Sequence, residues 1–521
     1  MDIPEVLFLA SALAPVALMV VPALLTRFDR VSTAGLWRVF QTLSGGTLVL
    51  TGVSVWVGPS GLHLPLALQA SSLGLTMALL VQLLGTVIGG FSARYLQGEA
   101  GQRRYVAALS AVLAAVHLLL LADHWVVLIV AWALVGVAMQ HLLCFYPDRA
   151  FARLAAHKKR IADRVADGLL VGAAVMAWMN VGSGSFSALW AHLAREGMST
   201  ALQLSALALV LAVVLRTALL PVHGWLIQVM EAPTPVSALL HAGVVNLGGF
   251  VLIRFAPLLE QAAPARALLL VFGLSTAVLA GMVMLTRISI KVRLAWSTVA
   301  QMGFMLLECA LGLYILAAVH LIGHSLYKAH AFLSASTVVR QTRLQSLHTS
   351  SSPSALSLAL APALTISVVL LVLLLSGHAS WPWWWSAVLG LAWAPLLWLS
   401  ATPADLPARG GQALFGLLMV TGFTGTALLA HALPLGIQDA PHNGLGLVAL
   451  LGMVALYLFL ALLQLRPHAL SNWRRWSYAG FYVDEAYTRM ALQLWPARWM
   501  PESFKDAGPK AATSPLADAP Q

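Results

Sequence analysis

Uncharged apolar runs of about twenty residues recur along almost the whole sequence, and each is long enough to cross a hydrocarbon core of about 30 Å as a helix. Hydrophobic residues make up 60% of the 521 residues and charged residues only 9%, whereas about a quarter of the residues in soluble domains are charged. We therefore predict an all-α polytopic membrane protein with about 14–15 transmembrane helices.

Basic residues follow every second predicted span, which is the distribution expected of cytoplasmic loops. They include the groups Arg27 to Arg38, Arg149 to Arg160 and Arg466 to Arg475. This predicts a periplasmic N-terminus, a membrane domain over residues 1–465 in the cell inner membrane, and a partly disordered cytoplasmic tail over residues 466–521. Because the net charge of +11 lies in these short loops and not on one basic face, we expect contacts with membrane lipid and none with nucleic acid.

The sequence lacks the motifs of bound redox chemistry. Its two cysteines, Cys144 and Cys309, lie far apart in apolar runs, and there is no CxxC pair, GxGxxG turn or Cys/His cluster with metal-ligand spacing. We predict a transporter subunit without a cofactor of its own, and not an enzyme.

The stretch from Pro221 to Pro235 interrupts the pattern of spans. Pro233 and Pro235 cannot both lie inside a regular helix, and irregular backbone at membrane depth is tolerated only where protein or water satisfies its polar groups. The ionisable residues near this break are Arg216, His223, Glu231 and His241. Glu231 neutralises Arg216, marks a cation entrance or merely caps a helix, and the sequence leaves these alternatives open.

His320, His324 and Lys328 recur at every fourth position of the predicted span Tyr314 to Val339 and therefore share one helix face. Neighbours are about 6 Å apart along the helix axis, a distance that one water molecule can bridge. Histidine exchanges protons near neutral pH and a buried lysine can release its proton, whereas arginine stays charged. The spacing predicts a proton relay; the alternative is that these side chains only hydrogen-bond neighbouring helices.

Other ionisable residues fall in or beside the apolar runs. Glu308 is an isolated acid deep in its span, and Lys291 lies at a span terminus, where a topology signal is an equally good explanation. We interpret the remaining single residues near span ends as structural, namely His117, Asp123, His124, His141 and Asp167.

Residues Pro221 to His241 closely resemble the pattern P-x-x-x-W-L-x-x-A-M-x-x-P-T-P-V-S-A-L-x-H of the antiporter-like subunits of respiratory complex I and of multisubunit Na⁺/H⁺ antiporters. The resemblance is strongest between residues 210 and 345, with a weaker echo at Tyr482 to Tyr487. It implies an antiporter-like fold with interrupted helices and a hydrated cation path along the membrane midplane. On that path it implies Arg216, His241, His320, His324 and Lys328, with Lys291 near the entrance.

Two departures alter the path that this resemblance implies. The family's Trp-Glu pair is Trp132-Ala133 here, and the lysine that pairs with that glutamate is Arg216. Asn246 also replaces a lysine of some sister subunits. Because arginine stays protonated, Arg216 supplies a fixed field and is a poor proton carrier.

These changes, together with the segment His241 to Phe250, resemble the membrane subunit of the two-component DAB inorganic carbon accumulation complexes. That resemblance implies a large cytoplasmic DabA-like partner, similar to a β-type carbonic anhydrase and holding zinc, which hydrates CO₂ to bicarbonate. The membrane subunit would supply the H⁺ or Na⁺ flow that makes this hydration unidirectional. The alternatives are a proton-translocating subunit of a complex I-type or multisubunit Na⁺/H⁺ antiporter assembly, and a membrane scaffold whose polar residues are structural.

Overall fold

The computed structural model describes residues 3–58, 63–64, 67–335, 352–377, 381–400, 406–466, 468 and 470–497. The end of the predicted span Tyr314 to Val339 lies outside these ranges, as does the last part of the tail, residues 498–521.

The described residues are almost entirely helical. The first eight helices are α1 (Ile3–Leu25), α2 (Thr33–Val57), α3 (Ser72–Tyr95), α4 (Gln102–Leu120), α5 (Trp125–Leu143), α6 (Ala150–Val181), α7 (Phe186–Glu196) and α8 (Thr200–Arg216). The middle group is α9 (Gly224–Ile227), α10 (Thr234–Ala242), α11 (Leu247–Arg254), α12 (Ala256–Gln261), α13 (Ala263–Leu285), α14 (Ile290–Leu311) and α15 (Tyr314–Leu333). The last group is α16 (Ala355–Ser376), α17 (Trp383–Trp393), α18 (Leu406–His431), α19 (Asn443–Leu465), α20 (Ser471–Tyr478) and α21 (Val483–Leu494).

Short elements connect these helices. Single turns of 3₁₀ helix occupy Gln228–Glu231, Val244–Asn246, Ala394–Leu397 and Gly480–Tyr482. The two strands β1 (His63–Leu64) and β2 (Leu68–Gln69) pair antiparallel between α2 and α3, with His63 opposite Gln69.

Eleven helical segments within the described ranges are long and apolar enough to cross a membrane. Two shorter apolar segments, Thr200–Arg216 and Trp383–Leu397, also correspond to predicted spans. The second half of α6 and the His- and Lys-containing α15 correspond to two more. The structure thus confirms a polytopic, mainly α-helical fold, and the count of about 14–15 transmembrane helices stays a prediction.

Neighbouring helices pack in a way that places the interrupted segment at the centre of the bundle. α6 packs along α8, α13 along α14, and α10 against both α15 and α3. In the segment Thr234–Arg254, which contains α10 and α11, 94% of the residues are buried, compared with 17% in the peripheral segment Arg409–His431. Irregular backbone is therefore surrounded by protein and not by lipid.

Candidate functional site

The predicted interruption is present on both sides of α9. α8 ends at Arg216 and α10 begins only at Thr234, after Pro233. Pro235 lies in the first turn of α10, where its missing N–H costs no helical hydrogen bond. Gly243 (φ −123°, ψ −68°) ends α10 before α11 begins at Leu247. The prediction of interrupted helices is confirmed.

Arg216 is almost fully buried and forms an ion pair with Asp167 of α6. Its guanidinium also donates to the carbonyl oxygen of Trp132 on α5 at 2.8 Å and lies 4.8 Å from the centre of the Trp132 ring. Arg164 approaches the second carboxylate oxygen of Asp167 at 3.6 Å. Since Ala133 of α5 has no carboxylate, the acid that balances Arg216 comes from α6, at a residue that the sequence led us to interpret as structural.

The pairing of Glu231 with Arg216, one of the alternatives, is wrong. Glu231 forms a salt bridge of 3.6 Å with Arg149, whose side chain also donates to the Glu231 carbonyl oxygen at 2.9 Å. The two side chains are 38% and 50% exposed, so Glu231 stays at the protein surface while Asp167 reaches the guanidinium inside the bundle. The other predicted role of Glu231, at a cation entrance, stays a prediction.

α6 carries more charge into the bundle than the span prediction indicates. The helix begins at Ala150, so the basic stretch expected to be a loop is helical, and Lys158 and Lys159 are buried. Lys159 Nζ donates to both carboxylate oxygens of Asp163, at 2.8 and 2.6 Å. Positions 159, 163 and 167 are four residues apart and therefore share one helix face.

α15 places Lys328 and His324 in the protein interior and His320 at the wall of a cavity. Lys328 Nζ donates to the Leu294 carbonyl oxygen at 3.0 Å and to Ser297 Oγ at 2.7 Å, both on α14. The rings of His320 and His324 have their centres 6.2 Å apart. The three titratable side chains therefore form one row on one helix, as their spacing predicts.

Glu308 is not isolated, in contrast to the interpretation from sequence. Its carboxylate lies 2.8 Å from His320 Nδ1, and the other ring nitrogen of His320 lies 2.8 Å from Gln301 Oε1. Glu308, Gln301 and His320 line a mostly apolar cavity of about 590 Å³ between α13, α14, α15, α17, α18 and α19. Ser297, which accepts from Lys328, lines the same cavity, so both ends of the α15 row reach it.

Three buried histidines have ring nitrogens without a hydrogen-bond partner among the described residues. His324 and His241 lie at the α15 row, and His223 lies in the break. His241 stacks on Phe332 of α15, with ring centres 4.5 Å apart and an angle of 13° between the ring planes. Buried polar atoms are normally paired with protein or with ordered water. These nitrogens are therefore positions where water molecules are expected.

Lys291 and Asn246 connect the interrupted segment to its neighbours. Lys291, in the first turn of α14, donates from Nζ to Thr234 Oγ1 at 2.8 Å, at the start of α10. Asn246 Nδ2 donates to the Ala242 carbonyl oxygen at 2.9 Å and to Ser325 Oγ of α15 at 2.7 Å. The neutral Asn246 thus links the break to α15, and the position of Lys291 near an entrance stays a prediction. No group of three or more His, Cys, Asp or Glu residues that could hold a metal occurs in the part of the chain that the structure describes.

Comparison with known proteins identifies the family. Residues 122–394 match the transmembrane family described as NADH:quinone oxidoreductase/Mrp antiporter, and residues 56–106 match the N-terminus of chain 5 of NADH-ubiquinone oxidoreductase (complex I). The probable inorganic carbon transporter subunit DabB of Hydrogenovibrio crunogenus is 39% identical over 450 residues, which cover 84% of each chain. This chain belongs to the DabB branch of that antiporter family. The DabB2 subunit of Halothiobacillus neapolitanus is 36% identical over 84% of this chain and 83% of its own.

The similarity of this DabB-like chain to respiratory subunits covers a smaller part of the sequence. NADH-quinone oxidoreductase subunit L of Mycobacterium tuberculosis is 32% identical over 292 residues, 55% of this chain and 46% of that protein. A chain in the structure of the Mrp complex from Dietzia sp. matches with a TM-score of 0.54 at 22% identity, over 93% of this chain. The DabB-like chain spans 52% of that solved chain. This structural similarity supports the predicted antiporter-like fold.

The motif Tyr482 to Tyr487 in the tail of the DabB-like chain fastens that tail to α6. Asp484 accepts a hydrogen bond of 2.7 Å from the buried Nζ of Lys158. The Tyr487 hydroxyl donates to the Lys158 carbonyl oxygen at 3.2 Å; burial raises the pKa of Tyr487 to about 12, so the hydroxyl keeps its proton. Gly224 of α9 leaves room for the Asp484 carboxylate, which would collide with a Cβ atom at that position. The tail therefore packs directly beneath the interrupted segment.

Three residues of this charged part of the DabB-like chain were not predicted from the sequence to be functional. Lys159, Asp163 and Asp167 are charged residues at a spacing of four, which is the same signal that marked the α15 row. The signal was overlooked because the predicted span begins at Val165. Lys159 and Asp163 were therefore assigned to the preceding loop.

Proposed function

We propose that this chain conducts a cation, H⁺ in preference to Na⁺, and that the flow energises inorganic carbon accumulation. In this proposal a large cytoplasmic DabA-like partner holds zinc and hydrates CO₂ to bicarbonate. The similarity to probable inorganic carbon transporter subunits over 84% of both chains supports the transported class. The buried row of titratable side chains supports conduction.

The observation that carries the proposal is the joint arrangement of α14 and α15. Lys328, His324 and His320 form a buried row, and Ser297 and Glu308 connect its two ends to one cavity. Ionisable groups inside a membrane are costly and usually mark an ion or proton path. The residues that we assign to the path are Arg216, Glu231, His241, Lys291, Glu308, His320, His324 and Lys328.

Each group has a chemical role in this path. Histidine and lysine gain and lose a proton, so His320, His324 and Lys328 pass it along the row through intervening water. The Glu308 carboxylate lies 2.8 Å from His320 Nδ1 and accepts the proton from this ring. Arg216 keeps its charge and orders the surrounding groups without exchanging a proton.

The topology that we propose follows the distribution of basic loops. The N-terminus is periplasmic, residues 1–465 form the membrane domain in the cell inner membrane, and residues 466–521 are cytoplasmic. The tail, fastened by Asp484 to Lys158 beneath the break, then lies on the side where a soluble partner binds.

A second candidate function is proton translocation within a complex I-type or multisubunit Na⁺/H⁺ antiporter assembly. The match of residues 122–394 and the 32% identity to a respiratory subunit favour it. That identity covers 55% of this chain, whereas the similarity to DabB covers 84%. We therefore place inorganic carbon accumulation first.

Growth of cells that lack carbonic anhydrase tests the proposal. Co-expression of this chain with its partner should restore growth in ambient air, and a protonophore should abolish the effect whereas a sodium ionophore should not. His324→Ala and Lys328→Ala should each abolish growth. His330→Ala changes an exposed histidine of the same helix and should not. Full growth of the His324 and Lys328 variants at normal protein levels would contradict the proposed row.

A further inference from the structure

We propose that Lys159 and Asp163 form the proton-exchanging ion pair beside Arg216, and that a proton passes between them before it reaches the α15 row. This inference rests on the proposed function, because it assumes that the chain conducts H⁺. It assigns the exchange to a lysine and a carboxylate of α6, neither of which is in the path described above.

The geometry of the pair suits proton transfer. Lys159 Nζ lies 2.8 Å from Asp163 Oδ1 and 2.6 Å from Asp163 Oδ2, and the two residues are only 3% and 5% exposed. The ammonium group also lies 5.0 Å from the ring centre of Trp225, on α9 of the interrupted segment. Short, charge-assisted hydrogen bonds in a buried site fix the donor and the acceptor without the intervention of solvent.

Two neighbouring helices, α5 and α9, pack closely against this pair. Gly136 of α5 faces Asp163, and a Cβ atom at Gly136 would come within 2.8 Å of Asp163 Oδ2. Trp225 of α9 covers the other partner, Lys159. The pair is therefore held by α5, α6 and α9 together, at the point where the break begins.

The pair also lies in line with the other charges of α6. Asp163 and Asp167 are one helical turn apart, about 6 Å along the axis, and Asp167 holds Arg216. On the cytoplasmic side, the adjacent Lys158 is occupied by Asp484 of the tail. Lys159 therefore differs from Lys158: it forms its ion pair with a carboxylate of its own helix and not with the tail.

The transfer step is chemically balanced. An N–H bond of the Lys159 ammonium breaks and an O–H bond forms on the Asp163 carboxylate, which leaves a neutral amine and a neutral acid. No redox partner is needed. Arg216 carries out no such step because its guanidinium stays protonated, but its fixed positive charge disfavours a second cation nearby and so promotes the release of the Lys159 proton.

The test measures H⁺ flux through the complete complex in liposomes that contain a pH-sensitive dye, under an imposed K⁺ diffusion potential. Lys159→Arg keeps the charge and the ion pair but removes the exchangeable proton, so flux should fall about a hundredfold. A purely structural ion pair would tolerate this substitution. Arg160→Gln, on the exposed side of the same turn, is the matched control and should conduct normally.

A second variant distinguishes a loss of proton exchange from a loss of folding. Lys159→Gln/Asp163→Asn removes both charges together, so no buried charge is left unpaired and the fold should persist; its flux should be lost as well. If the wild-type complex conducts H⁺ and Lys159→Arg conducts equally well, proton exchange between Lys159 and Asp163 is refuted, but the proposed function is not. Absence of flux through the wild-type complex would overturn the proposed function, and this assignment with it.

Discussion

The ion pair between Arg216 and Asp167 offers a direct test of the charge balance at the interrupted segment. Asp167→Asn removes the carboxylate and leaves the buried Arg216 with the Trp132 carbonyl oxygen and ring as its remaining contacts in this region. Arg164, which is 67% exposed, then loses a partner that lies 3.6 Å away, but water can replace that contact. The main cost is therefore an uncompensated guanidinium inside the bundle.

The loss of stability caused by Asp167→Asn depends on how deeply the ion pair is buried. Breaking a buried pair by removal of one partner costs about 3–5 kcal/mol. Because the Asp167 side chain is 17% exposed, against 3% for Arg216, we take the lower value, about 3 kcal/mol. At about 1.4 kcal/mol per factor of ten, this corresponds to a change in the unfolding equilibrium of roughly a hundredfold.

The assay is the half-life of the detergent-solubilised protein at a fixed elevated temperature, since large membrane proteins often unfold irreversibly. Asp167→Asn should shorten the half-life strongly, and Arg216→Met/Asp167→Leu should recover most of it because neither charge remains. Glu231→Gln is the control: it breaks an exposed pair with Arg149, worth at most about 1 kcal/mol. Equal half-lives for Asp167→Asn and Glu231→Gln would refute the reasoning.

Two further predictions concern the tail and the cavity. Gly224→Ala introduces a Cβ atom within 2.6 Å of Lys158 Nζ and into the Asp484 carboxylate; the tail should detach and trypsin should cleave it faster, whereas an unchanged cleavage rate would show that the tail is held elsewhere. Glu308→Gln keeps a hydrogen-bonding group beside His320 but removes the carboxylate that accepts the proton in the proposed path, so H⁺ flux in liposomes should fall about tenfold. Unchanged flux would place the path away from this cavity.

Local sequence properties predicted the break and the α15 row. Two prolines within three residues, Pro233 and Pro235, exclude a continuous helix whatever surrounds them. The spacing of His320, His324 and Lys328 fixes a common face because it depends only on helical periodicity. Such features need no knowledge of which helices are neighbours, and the structure agrees with both.

Features that depend on contacts between distant segments were not predicted. Arg216 and Asp167 are 49 residues apart, and Lys158 and Asp484 are 326 residues apart. Hydropathy alone treats the charges before Val165 as solvated, because isolated charges are costly to bury. Lys158 is buried here because its partner, Asp484, comes from the tail and reaches it only in the folded bundle.

H⁺ flux through the purified complex in liposomes tests most directly whether the row on α15 conducts H⁺. With a K⁺ diffusion potential imposed and a pH-sensitive dye inside, wild type and His330→Ala should acidify the lumen well above the rate of protein-free liposomes. Lys328→Met, which removes the buried ammonium held by Leu294 and Ser297, should reduce flux to that background. Wild-type flux at background, or full flux through Lys328→Met, would contradict the account.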